Sequence, residues 1–386
     1  MKSNTIPFTR LYYLDWLRVL AMLGVFLYHN AMLFNELSDW HINNISKNIV
    51  ATAYNAFTVQ WGMPLFFILA GAGTYYALRV IRAREYALER TLRLVVPLIF
   101  GWLVIIAPQA YYQATFNGMN LSGNFFELYM QYLKTLPDLE WFHLWFLEQL
   151  FIFSIITLPL FVLLGNNGTG TISRIATVFE KPWVLVTILV LALTLIDSLL
   201  YPSGFWGHRE SGGWNIASNA LFYISGYLIF SNERVLNTIR KYGWMASITG
   251  IVGMVCLVVF YIDVFTNLTD YYGTTEFILS QFIQAISTWS WLFVMVSLAS
   301  RYLTGTNRFL KYANTAVLPF YILHQTVIIV ISFYVVQWDS GVGLKYLTIS
   351  TTSFVVIMIL YEFLIRRVNI LRFLFGMRLT RKTTQS

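Results

Sequence analysis

The chain has 386 residues, 57% of them hydrophobic, 18% aromatic and only 11% charged, a balance that excludes a water-soluble domain of this size and makes the lipid bilayer the solvent to reason with. The formal net charge of +8 sits in short runs between apolar stretches and not along one face, which excludes a nucleic-acid-binding surface. The single cysteine, Cys256, excludes an intramolecular disulfide and a multi-cysteine metal cluster, and inside an apolar run it reads as packing.

Apolar segments of the roughly 20 residues needed to cross a hydrocarbon core fall in chain order near 14–34, 52–78, 94–116, 142–164, 183–201, 214–230, 244–265, 277–300, 314–336 and 346–365. The predicted fold is all-α, a polytopic transmembrane helical bundle of about ten spans with both termini cytoplasmic. It is read as one integral membrane domain over 1–386, with a core near 10–367 and a short basic tail over 366–386. Lys2 and Arg10 precede the first apolar segment as they would in a signal peptide. That segment contains Asp15 and Arg18 and has no small-residue cleavage site, so it is expected to remain as the first membrane helix.

Charge fixes the expected orientation. Of the 26 Lys and Arg residues, all fall on the side of the N-terminus except Lys47, Lys134, Arg209 and Lys345 on the other side and Arg18 within the first span. The positive-inside rule then places the N-terminus in the cytoplasm. The opposite loops are expected to collect Glu36, Asp39, Glu127, Asp138, Glu140, Glu210, Asp263, Asp270 and Asp339, with Trp40, Trp141, Trp206, Tyr271, Tyr272 and Trp338. The longest of them, near 117–141 and 202–213, are rich in Gly, Asn and aromatics. Such a composition suits contact with a hydroxyl-rich acceptor and equally suits interfacial anchoring.

Ionisable residues within spans are expensive, so each is a candidate site. The first span reads Leu14-Asp15-Trp16-Leu17-Arg18 and carries His29 further along. At about 100° per residue, Arg18 and His29 return to within about 20° of each other and lie roughly 16 Å apart along the axis. Asp15 joins the same face, giving a polar stripe of the kind a reaction path across the bilayer needs. The alternative is an interfacial Asp15–Arg18 ion pair with Arg18 reaching to the surface.

His143 and His324 also lie in or at the ends of spans, and histidine is the side chain suited to proton transfer near neutral pH. Glu148 follows His143 at about 500° of helical rotation, so the two do not form a dyad within their helix. Each is a candidate on its own, with interior hydrogen bonding as the alternative, and the same choice applies to His324 in Tyr321-Ile322-Leu323-His324-Gln325. His41 and His208 read as loop residues, and Asp197 and Glu362 as span-end carboxylates exposed to headgroup water.

Arg79, Arg82, Arg84, Arg90 and Arg93 contain two Arg-x-x-Arg units. Arginine forks suit a phosphate-bearing donor arriving from the cytosol, although positive-inside charge and contact with membrane lipids would place the same residues. Walker A, GxGxxG, HExxH and GxSxG patterns are absent, as is a metal-spaced Cys/His set. No metal and no tightly bound cofactor is therefore expected.

At these residues the chain resembles the acyltransferase 3 family of membrane O-acyltransferases, and within it the glucan biosynthesis protein C-like group. The resemblance runs from about Arg10 to Arg367. It is carried by Leu14-Asp15-Trp16-Leu17-Arg18 with His29, by Pro64-Leu65-Phe66-Phe67-Ile68-Leu69-Ala70-Gly71, by Arg90-Thr91-Leu92-Arg93 followed by Pro97, by His143-Leu144-Trp145-Phe146-Leu147 and by Tyr321-Ile322-Leu323-His324.

The resemblance implies transfer of an acetyl or succinyl group from cytoplasmic acetyl-CoA or succinyl-CoA, a co-substrate, to a hydroxyl of an extracytoplasmic carbohydrate, in a bacterial inner membrane. His29 would be base or acyl relay, Arg18 would orient His29 or the thioester, and Arg90 and Arg93 would hold the CoA phosphates. Many relatives carry Ser where Ala70 stands, so that hydroxyl is not required here. The esterase-like C-terminal domain of some relatives is not expected here, which would imply direct transfer to the acceptor or hand-off to a separate protein. Rival readings are a polysaccharide or lipid-linked sugar transporter, which also places charges inside the membrane, and a sensor or scaffold.

Overall fold

A computed structural model describes residues 11–119, 123, 125–135, 141–165, 177–201, 209, 212–264 and 272–379. Lys2, Arg10, Asp138, Glu140, Arg174, Trp206, His208, Glu210, Asp270 and Tyr271 lie outside the described residues, as does the end of the basic tail.

The described residues form helices and no strands, as expected for backbone that must satisfy its hydrogen bonds without water. In chain order they are α1 (Tyr12–Met32), α2 (Ile49–Leu78), α3 (Ala83–Phe116), α4 (Phe125–Thr135), α5 (Phe142–Ile156) and α6 (Leu158–Gly165), followed by α7 (Pro182–Leu200), α8 (Ile216–Phe230), α9 (Glu233–Val264), α10 (Thr275–Tyr302), α11 (Arg308–Val335), α12 (Val342–Ile365) and α13 (Asn369–Leu374). Among the described residues seven helices, α2, α3, α7, α9, α10, α11 and α12, are long and apolar enough by length and composition to cross a membrane. The chain is an integral membrane protein with an all-α bundle.

Boundaries differ from the hydropathy reading where charged residues continue a helix. α3 begins at Ala83 and not near 94, so Arg84, Arg90 and Arg93 stand on its first turns, and α9 begins at Glu233 with Arg234, Arg240 and Lys241 on its early turns. Hydropathy finds the apolar part of a helix, while backbone hydrogen bonding continues past it. Side-chain caps set other starts: Asn48 accepts from the amides of Val50 (2.9 Å) and Ala51 (3.2 Å) at the head of α2, and Asn307 from Leu310 (2.7 Å) at the head of α11.

α1 packs between α2 and α11, α8 lies along α2, and α11 contacts both α12 and the last part of α3. The α2–α8 crossing depends on two glycines. A Cβ on Gly71 would stand 2.0 Å from the carbonyl oxygen of Tyr223, and one on Gly226 2.2 Å from that of Ile68. Small residues let backbones approach this closely, which supplies the dispersion contacts that hold membrane helices together. Gly71 ends the motif Pro64–Gly71, so that motif serves packing here.

Two expectations are corrected. Asp197 is not exposed at a span end: it is 2% exposed and meets Arg209 at 3.3 Å, Asn215 at 2.7 Å and Ser218 at 2.9 Å. A carboxylate removed from water needs such partners. Cys256 is exposed on α9 and does not pack inside the bundle, because the membrane-spanning part of that helix turns most of its apolar surface outward. Glu362 sits in a π-helical turn, Leu360–Ile365, where it pairs with Arg366 at 2.7 Å and takes a hydrogen bond from Tyr312 at 3.0 Å.

Candidate active site

Three of the predicted residues, distant in sequence, converge beyond the midpoint of α1. His29, in the last turn of α1, has its Nδ1 3.0 Å from the carbonyl of Val25 and 3.2 Å from Nε2 of His324 on α11. His143 lies in the 3₁₀ turn that opens α5. Its ring meets that of His324 edge-on, with centroids 5.2 Å apart, and its Nε2 is 3.0 Å from the carbonyl of Ile322. Tyr321 closes the group by donating its hydroxyl proton to the carbonyl of His143. His143 and His324 are buried, whereas His29 keeps part of its surface accessible.

The segment between α1 and α2 covers this group. The Trp40 ring lies 5.7 Å from that of His29 and 5.0 Å from that of His41. His41 Nδ1 is 2.9 Å from Gln113 Oε1 on α3, and its Nε2 is 2.7 Å from Gln325 Nε2 on α11. Burial pushes His41 down to about 4, with the Gln113 hydrogen bond opposing, so it is neutral at pH 7. The segment is pinned at its far side by Lys345, which donates to Asn44 Oδ1 at 3.0 Å and to the Val336 carbonyl at 2.8 Å. On the other wall Phe142, immediately before His143, has φ +45°, and it is the sole non-glycine with positive φ among the described residues. Strain of this kind persists where the surroundings over-determine the backbone, and it clusters at functional sites.

Other predicted residues do not join the histidines. Arg18 donates to Asp15 at 3.2 Å and to Asn314 at 3.3 Å, near the start of α11. It does not orient His29, whose ring is held by Val25 and His324. Glu148 does not pair with His143 either: it is half-buried in α5 and takes a hydrogen bond from Trp141.

The arginines separate into distinct environments. Arg79 and Arg82 are exposed, Arg79 donating to Tyr75 at 2.9 Å. Arg93 is engaged by Glu89 at 3.1 Å and by the carbonyl of Gly376 at 3.2 Å. Arg90 lies 4.9 Å over the Tyr86 ring and has no carboxylate partner among the described residues. Thr326, two residues past His324, donates to the carbonyl of Ile105 at 3.0 Å. Along α3, Ile105 stands roughly 18 Å of helical rise beyond Arg93. The arginines and histidines therefore occupy different levels of one bundle.

The model of the acyltransferase 3 family, an acyltransferase domain, matches residues 11–362. The chain belongs to this family. It is an integral membrane member of it. Glucans biosynthesis protein C of Shigella dysenteriae serotype 1 (strain Sd197) and that of Escherichia coli (strain K12) are each 26% identical to it over 164 residues, 42% of this chain and 42% of either relative. The aligned region is less than half the length of those relatives. No solved structure matches the chain.

Within this family member, sequence reasoning singled out the three histidines separately and missed their neighbours. His41 was read as a loop residue, and Trp40 only as an interfacial aromatic. Adjacent Trp and His soon after an intramembrane His were the available signal, and Gln325 beside His324 was another. Neither neighbour lies on a periodic segment, so helical spacing could not attach them to the site. Among the described residues no cluster of three or more His, Cys, Asp or Glu is arranged to hold a metal ion.

Proposed function

We propose that the protein moves an acetyl or succinyl group from acyl-CoA to a hydroxyl of a glycan, across the bacterial inner membrane, with both termini and the Arg79–Arg93 cluster on the cytoplasmic side. The observation that carries this reading is the pairing of half-accessible His29 with buried His324 at the end of α1 away from the arginines. The positive-inside distribution supports the orientation. The naming of its relatives for glucan biosynthesis supports a carbohydrate acceptor.

Arg90, which lies over the Tyr86 ring with no carboxylate partner among the described residues, suits a CoA phosphate. The separation between it and the histidines suits the long flexible arm of an acyl-CoA. In the reaction His29 takes the proton of the acceptor hydroxyl as its oxygen bonds to the thioester carbonyl carbon. The carbon–sulfur bond then breaks, and the departing thiolate receives the proton from His29. No other group is consumed.

The test is transfer of labelled acetyl or succinyl from its CoA ester to a glycan acceptor by purified protein in liposomes, comparing wild type with His29→Ala at equal amounts. Label on the acceptor that depends on His29 is the expected result. Movement of glycan across the membrane without any transfer would replace the enzyme with a transporter.

A further inference from the structure

The proton positions in the histidine group follow from its partners. Carbonyl oxygens only accept hydrogen bonds, so each imidazole nitrogen facing one must carry the hydrogen. His324 Nδ1 faces the carbonyl of Tyr321 at 2.5 Å. Neutral His324 is therefore the Nδ1–H tautomer, and its Nε2 is a lone pair. His29 Nδ1 faces the carbonyl of Val25, so it too is N–H, and it shares that hydrogen between Val25 at 3.0 Å and His324 Nε2 at 3.2 Å. The remaining nitrogen of His29, Nε2, is then the unprotonated one. His143, whose Nε2 faces the Ile322 carbonyl, holds its lone pair on Nδ1, a buried atom without a hydrogen-bond partner among the described residues. It packs on His324 without donating to it.

We infer that His324 is the positioning residue of an imidazole–imidazole pair: its Nε2 lone pair receives the Nδ1–H of His29, joins the Val25 carbonyl in holding the tautomer that leaves His29 Nε2 as the base, and shares the charge when that base is protonated. The inference rests on the reading of His29 as the base and adds the device that prepares it. In a Ser-His-Asp triad a buried carboxylate performs this orientation and stabilises the imidazolium. Here the acceptor is neutral. A neutral partner avoids burying a permanent negative charge within the bundle, where desolvation is severe. The titratable groups around His29 are His324 and Tyr321 from α11, His143 from the start of α5, His41 from the segment after α1 and its own neighbour Tyr28. No carboxylate forms an ion pair with His29 among the described residues.

The step balances without further reagents. The acceptor hydroxyl proton passes to His29 Nε2, giving an imidazolium whose Nδ1–H is already bonded to His324. That Nε2 proton then goes to the thiolate released when the carbon–sulfur bond breaks. His324 returns to its starting state without exchanging a proton with substrate, so it is not itself catalytic.

The experiment uses the full chain with ¹⁵N-labelled histidine in nanodiscs, together with His324→Gln, which keeps an acceptor at the same distance along the side chain, His324→Leu, which removes it, and His324→Glu, which charges it. Nitrogen chemical shifts should report His29 as Nδ1–H in wild type and in His324→Gln, and in His324→Leu should show its Nδ1 resonance moved, because the Val25 carbonyl alone then holds that hydrogen. Acyl transfer should fall about 100-fold in kcat with little change in KM for His324→Leu. His324→Gln should recover about a tenth of wild-type kcat or more, and His324→Glu should move the lower limb of the pH–rate profile upward by about one unit.

An Nε2–H tautomer of His29 in the wild type would overturn the inference. So would a His324→Leu protein with unchanged Nδ1 resonance, kcat and pH profile. If His324→Leu does not fold, the wild-type and His324→Gln shifts decide the matter. Tautomers are read without substrate, so a His29→Ala protein that still transfers would sink the base assignment and leave the measured hydrogen bonding intact. Loss of transfer in His29→Ala beside an Nε2–H wild type would sink the pair alone.

Discussion

At the start of α1, Asp15 and Arg18 are three residues apart, bonded to each other and fastened to Asn314. At its end, His29 meets a histidine 295 positions away in sequence. The ion pair itself is local, since residues at that spacing are neighbours on any helix and opposite charges there lower the cost of bringing both near the membrane, and only its tie to Asn314 reaches α11. The second exists only once α1 and α11 have packed. A locally satisfied pair tells of anchoring and register, while a site assembled from distant helices, with one partner still accessible, tells of chemistry.

The sharpest way to break this comparison is to truncate both ends. His29→Ala should lower acyl transfer between about 100-fold and 10,000-fold while leaving the thermal midpoint in detergent close to wild type. Arg18→Ala removes the 3.2 Å ion pair of Asp15, which is 8% exposed. It should cost on the order of 1–3 kcal/mol of stability and reduce transfer by about tenfold or less through loosened α1–α11 register. Rates and midpoints measured on the two variants side by side check the contrast. Equal loss of activity with equal destabilisation would merge the two ends into one structural stripe.

A second comparison lies within the arginines. Arg93 is committed to Glu89 and Gly376, whereas Arg90 only stacks on Tyr86. Arg90→Ala should raise KM for acyl-CoA about tenfold with a small change in kcat, as expected for loss of a charge-assisted phosphate contact. Arg93→Ala should chiefly lower stability, since it releases Glu89 and the α3 start from the turn after α13. Initial rates against acyl-CoA concentration, with and without added free CoA as competitor, separate the two. The reverse pattern would move the donor site to Arg93.

How much of this was legible beforehand follows from which signals are local. Apolar length located the helices, and helical arithmetic placed Asp15, Arg18 and His29 on one face of α1. The same arithmetic set His143 and Glu148 on different faces of their helix. It could not join His29 to His324, because nothing in either segment states which helices neighbour each other. Asp197 was misread for a related reason. Its cation, Arg209, returns from the following loop, and a carboxylate near a span end looks exposed until that loop folds back. Trp40 and His41 escaped because an irregular segment has no period to show which side faces the site.

His41 offers the finest test, because it separates the covering segment from the histidines beneath it. Held neutral by burial, it is pushed down from its usual 6.5 to about 4. A histidine whose folded value is depressed contributes stability that is complete above the unfolded value and is lost as pH falls toward the folded one. The covering segment should therefore loosen between about pH 6.5 and pH 4, by on the order of 1–3 kcal/mol. His41→Gln, which does not titrate, should retain bonding capacity toward Gln113 and Gln325. Its hydrogen exchange over 33–48 should stay flat across that window, while the wild type exchanges faster as the solution is acidified. If both proteins respond alike, the acid sensitivity belongs to His29, His143 or His324, and the segment merely follows them.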